Sequence, residues 1–219
     1  RQCYNRIKKN DLPIQIGFNR RFDPTHAKIK NLLKENKIGQ LNQVIITSRD
    51  PEMPSEEYYK SAGGLFRDMT IHDFDLARFY LDDDPIEIFA SAQKLIDPNM
   101  MNKISDHDTA MFILTCKDGK QCFINNSRTA VYGYDQRVEL FGSKGMVVSE
   151  NRKPHELKKY NMEFVDKREP YLNFFIERYQ EAYMNSITSF VEAIIEKKPV
   201  SVGFEDGRRA LLLAEAAYK

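Results

Sequence analysis

Gly63-Gly64-Leu65-Phe66-Arg67-Asp68-Met69-Thr70-Ile71-His72-Asp73-Phe74-Asp75 is the stretch on which the reading of this chain turns. Two glycines open a helical pattern that runs to about Leu81. At 100° per residue, Phe66, Met69, Ala77 and Tyr80 form one apolar face, widened by Phe74 and Leu81. Asp68, His72 and Asp75 fall on the opposite side with Phe79 beside them. Residues four apart on a helix are neighbours, so Asp68 and His72 are placed to interact. A surface helix carries a broad charged face, whereas this one shows a narrow polar stripe. The pattern predicts a helix covered on most sides, with one polar line facing a cleft.

Three chemical readings of that stripe stay open from spacing alone. His72 suits general acid/base work near neutral pH, with Asp68 tuning its protonation. Asp68, His72 and Asp75 are also possible metal ligands, although neither His-Glu-x-x-His nor a second ligand cluster accompanies them, and no metal is expected. The third reading is a structural hydrogen bond in a buried helix. No Gly-x-Ser-x-Gly nucleophile elbow occurs. No Gly-x-Gly-x-x-Gly occurs either, so no dinucleotide loop can be placed in these residues.

Upstream, Arg1 to Asn10 reads as helix and Ile14 to Phe18 as a short alternating strand, the tail of a βαβ unit. The chain begins inside that helix without a methionine, which suggests a fragment of a longer protein. The strand leads to Arg20 and Arg21. Arginines at the carboxyl end of a strand are well placed to hold an anion or a polyhydroxylated ligand; a surface pair is the plainer reading, favoured for Arg21. Asp23-Pro24 reads as N-cap and first turn of a helix, with Gly39 as its left-handed cap. Leu41 to Ser48 is a strand ending at Arg49-Asp50-Pro51. Pro51 to Ala62 reads as a polar loop that could wall a pocket.

Beyond the central helix, Asp82-Asp83-Asp84-Pro85 is a turn that misses the alternating Ca²⁺-loop pattern. Strands are expected over Ile86–Leu95, Asp108–Cys116, Gln121–Thr129, Gln136–Phe141 and Met146–Glu150, mainly antiparallel, with one more over Leu157–Val165. In Thr109 to Leu114 both strand faces are apolar. A sheet covered on one side alternates more cleanly, so the second face is expected to be an oligomer surface. Tyr132-Gly133-Tyr134 could offer hydroxyls to a ligand or simply pack. Long helices are expected over Tyr171–Lys197 and Arg208–Tyr218.

Composition narrows the function classes. The chain has 219 residues, 42% hydrophobic and 30% charged, with a net charge of +1. That balance gives no electrostatic case for nucleic acid or an anionic membrane. No apolar run approaches a membrane span, and no signal peptide is visible. The three cysteines, Cys3, Cys116 and Cys122, fit buried thiols of a reducing cytoplasm rather than a disulfide scaffold. An Asp118-Gly119 two-residue turn would set Cys116 opposite Gln121 and point Cys122 to the other sheet face.

Gly63-Gly64 with Asp68-x-x-x-His72-x-x-Asp75 resembles the helix of the Gfo/Idh/MocA oxidoreductases, above all their myo-inositol 2-dehydrogenase branch. Gly17-Phe18-Asn19-Arg20-Arg21-Phe22-Asp23 resembles the passage from that family's Rossmann domain into its substrate domain. Tyr132-Gly133-Tyr134-Asp135 resembles a segment that reaches the substrate, and Glu139 to Gly145 resembles the family's strand and turn. The resemblance implies an α+β domain, a mainly antiparallel open sheet with helices on one face. Residues 1–18 would be the residual end of the cofactor domain and 19–219 a substrate and oligomerisation domain. It implies NAD or NADP as cofactor, a polyol, cyclitol or sugar substrate, and a homodimer or homotetramer. His72 would take the hydroxyl proton, and Asp68 would orient substrate or histidine. Arg20, Asp50, Tyr132, Tyr134 and Asp75 would line the polyol pocket, with Asn19 at the cofactor.

The family's Gly-rich loop and its Glu-Lys-Pro lysine are not found in these residues; Glu196-Lys197-Lys198-Pro199 is a decoy at a helix end. The fragment alone is therefore expected to be inactive. The reading from a different class is a non-catalytic relative that keeps the fold as a ligand-binding or scaffold module.

Overall fold

The computed structural model describes Asn5, Arg6 and residues 12–219. Cys3 and most of the helix expected before Asn10 lie outside them. A 3-10 turn over Asn19–Phe22 leads to α1 (Pro24–Lys34), β1 (Leu41–Arg49), α2 (Glu56–Ala62), a π turn (Phe66–Thr70) and α3 (Ile71–Leu81). Then come β2 (Glu87–Gln93), α4 (Pro98–Ile104), β3 (Thr109–Thr115), β4 (Gln121–Ser127), β5 (Asp135–Gly142) and β6 (Gly145–Ser149). The long α5 (Phe175–Ile195) and α6 (Phe204–Ala217) close the chain.

The six strands form one open sheet in the order β2-β3-β4-β1-β5-β6. It is mixed: β1 runs parallel to β4 and the other pairings are antiparallel. One face carries the core. Val44, Ile46, Phe112, Leu114, Ile124, Val138 and Leu140 are buried there with Leu65, Phe66, Phe74, Ala77 and Tyr80 in a single cluster. Phe112 takes the edges of Phe66 and Phe74 at centroid distances of 5.1 and 5.2 Å, a favoured aromatic geometry.

The opposite face is uncovered among the described residues and carries an apolar row among polar neighbours such as Glu139, which pairs with Ile45. The register runs Phe89–Ile113–Phe123–Ile45 across four neighbouring strands. Phe89 is 66% exposed and Met111, one diagonal away, 53%.

Several boundaries differ from expectation for physical reasons. Ile14 to Phe18 is not a strand. Its alternation serves packing, and Ile16 donates its N–H to Val202 O at 2.9 Å while its side chain lies against Gly207. That contact also explains α6, which starts at Phe204 rather than Arg208. Gly207 sits inside the helix because Ile16 packs there, and Asp206 Oδ2 caps the helix by accepting from Gly203 N at 2.9 Å. The Pro51–Ala62 stretch contains α2, capped by Ser55 Oγ and closed by Gly63 at φ 91°. Asp97 caps α4, with Pro98 at its first position. Leu157 to Val165 forms no strand, only one bridge between Lys159 and Lys167. Asp23 caps α1 as expected, accepting from Thr25 N and His26 N, but Asn36 (φ 55°) takes the left-handed position after it. Gly39 (φ 72°) instead accommodates the β5–β6 turn.

The β3–β4 turn is longer than a two-residue hairpin. Thr115 pairs with Gln121 and Leu114 with Cys122, so Cys116 and Cys122 both face the core as free thiols.

Candidate active site

A cleft of about 680 Å³ opens beside the central helix. Its polar wall comes from element ends. Asn19 and Arg20 lie in the 3-10 turn, Asp50 follows β1, Asp68 lies in the π turn and His72 in the first turn of α3. Arg128 follows β4 and Tyr134 precedes β5. The parallel β1–β4 pair explains the convergence. Arg49 is in register with both Ser127 and Asp135, so the residues just past these positions meet at one sheet end, where open α/β sheets bind ligands.

The π turn changes the geometry expected of Asp68. Its Oδ1 accepts from Tyr58 OH at 2.8 Å and its Oδ2 from Arg128 at 2.6 Å. His72 Nδ1 is buried with no hydrogen-bond partner among the described residues, and the ring meets Phe18 edge-on at 5.7 Å. Burial pulls the His72 pKa down to about 4; the Arg20 charge adds to this and Asp68 opposes it. The imidazole is therefore neutral at pH 7 and able to accept a proton.

Arg20 is buried, ion-paired with Asp73, and its guanidinium lies 5.7 Å from the centre of the Tyr179 ring. Burial opposes its charge, but Tyr179 and Asp73 outweigh that and the pKa is raised. Asn126 donates to Asp73 Oδ2 at 2.8 Å, and Ser48 joins Arg20 to Gln136. Asp50 is pushed up in pKa by burial, against the pull of Arg128.

Two expected pocket residues are elsewhere. Asp75 is fully buried, and its carboxylate takes Arg21 Nε at 2.8 Å and an Arg21 terminal nitrogen at 2.5 Å. It lies seven residues, about 10 Å, down the helix from Asp68. The shared stripe therefore does not bring it into the cleft. Tyr132 donates its hydroxyl to Asp135 at 2.7 Å and accepts from Arg49 at 2.8 Å. Gly133 at φ 110° turns the chain between the two tyrosines, and a Cβ there would meet Tyr171 O at 2.8 Å. Asn19, Arg20, Asp50, Asp68, His72 and Tyr134 do share the cleft.

Sequence reasoning missed Asp73, Arg128 and Tyr179, whereas Tyr58 lies in the Pro51–Ala62 stretch expected to wall a pocket. A signal existed for Asp73: on the helical wheel it falls in the middle of the apolar face, where a carboxylate needs a buried cation. The group of three closely placed possible metal ligands, Asp83, Cys116 and Asp118, does not include His72. It sits at the other end of the strands, beside the β3–β4 turn. No helix among the described residues is long and apolar enough to cross a membrane.

Known proteins share this sequence and fold. The chain is 43% identical over all 219 residues to a Rhizobium meliloti protein named inositol 2-dehydrogenase, of which it spans 66%. A crystal structure of a myo-inositol dehydrogenase from Corynebacterium glutamicum superposes with a TM-score of 0.90 at 41% identity, covering 93% of this chain and 61% of that one. A scyllo-inositol dehydrogenase from Lactobacillus casei, solved with NAD(H) and scyllo-inositol, gives a TM-score of 0.85 at 28% identity, over 96% of this chain and 64% of that one. The family model described as the GFO/IDH/MocA C-terminal domain matches residues 26–148, and the chain therefore belongs to the GFO/IDH/MocA family.

Proposed function

We propose that this chain is the substrate-binding part of an NAD(P)-dependent dehydrogenase of cyclitols, with residues 1–18 the end of a cofactor domain and 19–219 the substrate domain. The observation that carries the reading is a neutral, partnerless His72 nitrogen beside two carboxylates that share one arginine. The names of the relatives and the cofactor and substrate of the Lactobacillus casei structure support it.

Oxidising a secondary alcohol removes a proton from oxygen and a hydride from carbon. A bound nicotinamide ring supplies the hydride acceptor. His72 takes the hydroxyl proton, because its imidazole is held neutral. Asp68 is fixed by Tyr58 and Arg128 and orients the substrate. Arg20, Asp50 and Tyr134 face further hydroxyls. Asn19 would meet the cofactor; its buried Nδ2 lacks a partner among the described residues. The uncovered sheet face serves self-association.

The test is full-length protein assayed with myo-inositol, scyllo-inositol and sugars, with NAD and NADP, as wild type, His72→Ala and Asp68→Asn. Turnover at wild-type rates in both variants overturns the assignment. Cyclitol binding without turnover in wild type selects the scaffold reading instead. This chain alone is expected to show no NAD-dependent oxidation of myo-inositol.

A further inference from the structure

Arg128 occupies the point where the ends of β1 and β4 meet the π turn. Register sets Arg49 against Ser127, and Asp50 N donates to Ser127 O at 2.9 Å. Residues 50 and 128 are thus fixed side by side by backbone. The Arg128 guanidinium splits between two carboxylates, with one terminal nitrogen 2.9 Å from Asp50 Oδ2 and the other 2.6 Å from Asp68 Oδ2. Its side chain is only 3% exposed. The back of the guanidinium lies on the Tyr59 ring at 5.2 Å, and Tyr59 is itself buried. A planar fork clamped between a ring and two acids has one available orientation.

We propose that Arg128 is a positioning residue that holds Asp50 and Asp68 as a fixed pair of hydrogen-bond acceptors for neighbouring hydroxyls of the polyol. The proposal rests on the cyclitol reading of the cleft. Two acids from different elements would not otherwise share a spacing, because Asp68 sits on a π turn and Asp50 on a loop. Arg128 makes their separation a property of one rigid group. It also supplies the charge that opposes protonation of Asp50. The groups that act on Asp50 are Arg128, Arg20 and Asp68, with Tyr58, Tyr59 and Tyr134 around them. Without Arg128, Arg20 is the remaining cation of that set, and it is committed to Asp73.

Two measurements test this. Carbon-13 NMR of aspartate carboxyls, with the Asp50 signal assigned by Asp50→Asn, reads Asp50 protonation in this chain without any activity. Arg128→Gln should move the Asp50 midpoint up by about one pH unit or more, whereas Arg128→Lys should hold it nearer the wild-type value. In full-length protein, Arg128→Gln should lower kcat/KM for myo-inositol about 100-fold, the usual cost of a misplaced substrate. Arg128→Lys should recover only part of that, because an ammonium is a point charge and cannot bridge both acids. An unchanged Asp50 midpoint in Arg128→Gln, or wild-type kcat/KM in Arg128→Lys, overturns the proposal. If Arg128→Gln fails to fold, the kcat/KM of Arg128→Lys decides. If wild-type full-length protein oxidises no polyol, the cyclitol reading fails, while the NMR titration still reports whether Arg128 governs Asp50.

Discussion

Arg20 reaches the cleft on the back of Asp73, a carboxylate with no exposed surface that pairs with it from inside the core. One ion pair therefore serves packing and site together. Removing one partner of a buried pair leaves an uncompensated charge, which costs about 3–5 kcal/mol. Asp73→Asn should therefore lower the free energy of unfolding by an amount of that order and loosen Arg20 in the cleft. Urea unfolding of wild type and Asp73→Asn measures it, and a change below about 1 kcal/mol would show that the pair is not coupled to folding.

His72 gives the pH prediction for catalysis. Its pKa is depressed to about 4, so the imidazole remains unprotonated from neutrality down to mild acid. The acid limb of kcat/KM due to His72 should lie well below the ordinary histidine value of 6.5. His72→Ala should cost 10²- to 10⁴-fold in kcat, the usual range for a proton-transfer group. A His72-dependent limb near pH 6.5 would overturn the assignment of a buried, neutral base to His72.

The same depression makes stability acid-sensitive. His72 and His26 both have lowered folded pKa values, led in each case by burial, to about 4. Between 6.5 and 4 the unfolded chain binds protons that the folded chain refuses. Their contribution is thus intact above pH 6.5 and is lost as pH falls toward 4, at up to about 1.4 kcal/mol per pH unit for each histidine. Thermal melts across that window in wild type and His26→Gln should show a shallower acid loss in the variant.

Asp75 separates stripe from site. Its partner is Arg21, which also reaches Asp206 at 3.0 Å in the first turn of α6. Asp75→Asn should lower stability by about 3 kcal/mol while KM for the polyol stays within about twofold. A tenfold rise in KM at unchanged stability would return Asp75 to the pocket.

The contrast between Asp68 and Asp75 shows how far the sequence could be read. Periodicity located the central helix, its apolar face and the sheet strands, because burial imposes those periods directly. Element ends carried the site: Asp50 was visible as a strand-end residue, whereas Arg20 was singled out by a strand over Ile14 to Phe18 that does not form, and it sits in the 3-10 turn instead. A π turn was not visible, since nothing in Phe66 to Thr70 departs from ordinary helical composition. It is the turn that presents Asp68 to Tyr58 and Arg128. The parallel pairing of β1 with β4 was also hidden, because register between strands whose partners, such as Gln43 and Gln121, lie so far apart in sequence leaves no local mark. Arg128 was thus unreadable as a site residue. Asp73 was readable, as a charge on an apolar face, and required only the question of which cation it faced.

The bare sheet face yields the last prediction. Phe89, Ile113, Phe123 and Ile45 stand in one cross-strand row, flanked by Met111, Phe141, Met146 and Val148. An exposed apolar row of this kind is the expected place for a contact with another copy of the chain. Ile113 is the sharpest probe: it is 44% exposed, its neighbours on the same strand, Phe112 and Leu114, face the core, and it lies mid-row. Ile113→Glu should leave the core face intact and convert an associated species to monomer, because a carboxylate buried in an apolar interface must be desolvated without a partner. Sedimentation velocity of wild type and Ile113→Glu at matched concentration reads the result. A wild-type protein that sediments as a monomer, or a variant that keeps the wild-type mass, removes the sheet face as the association surface.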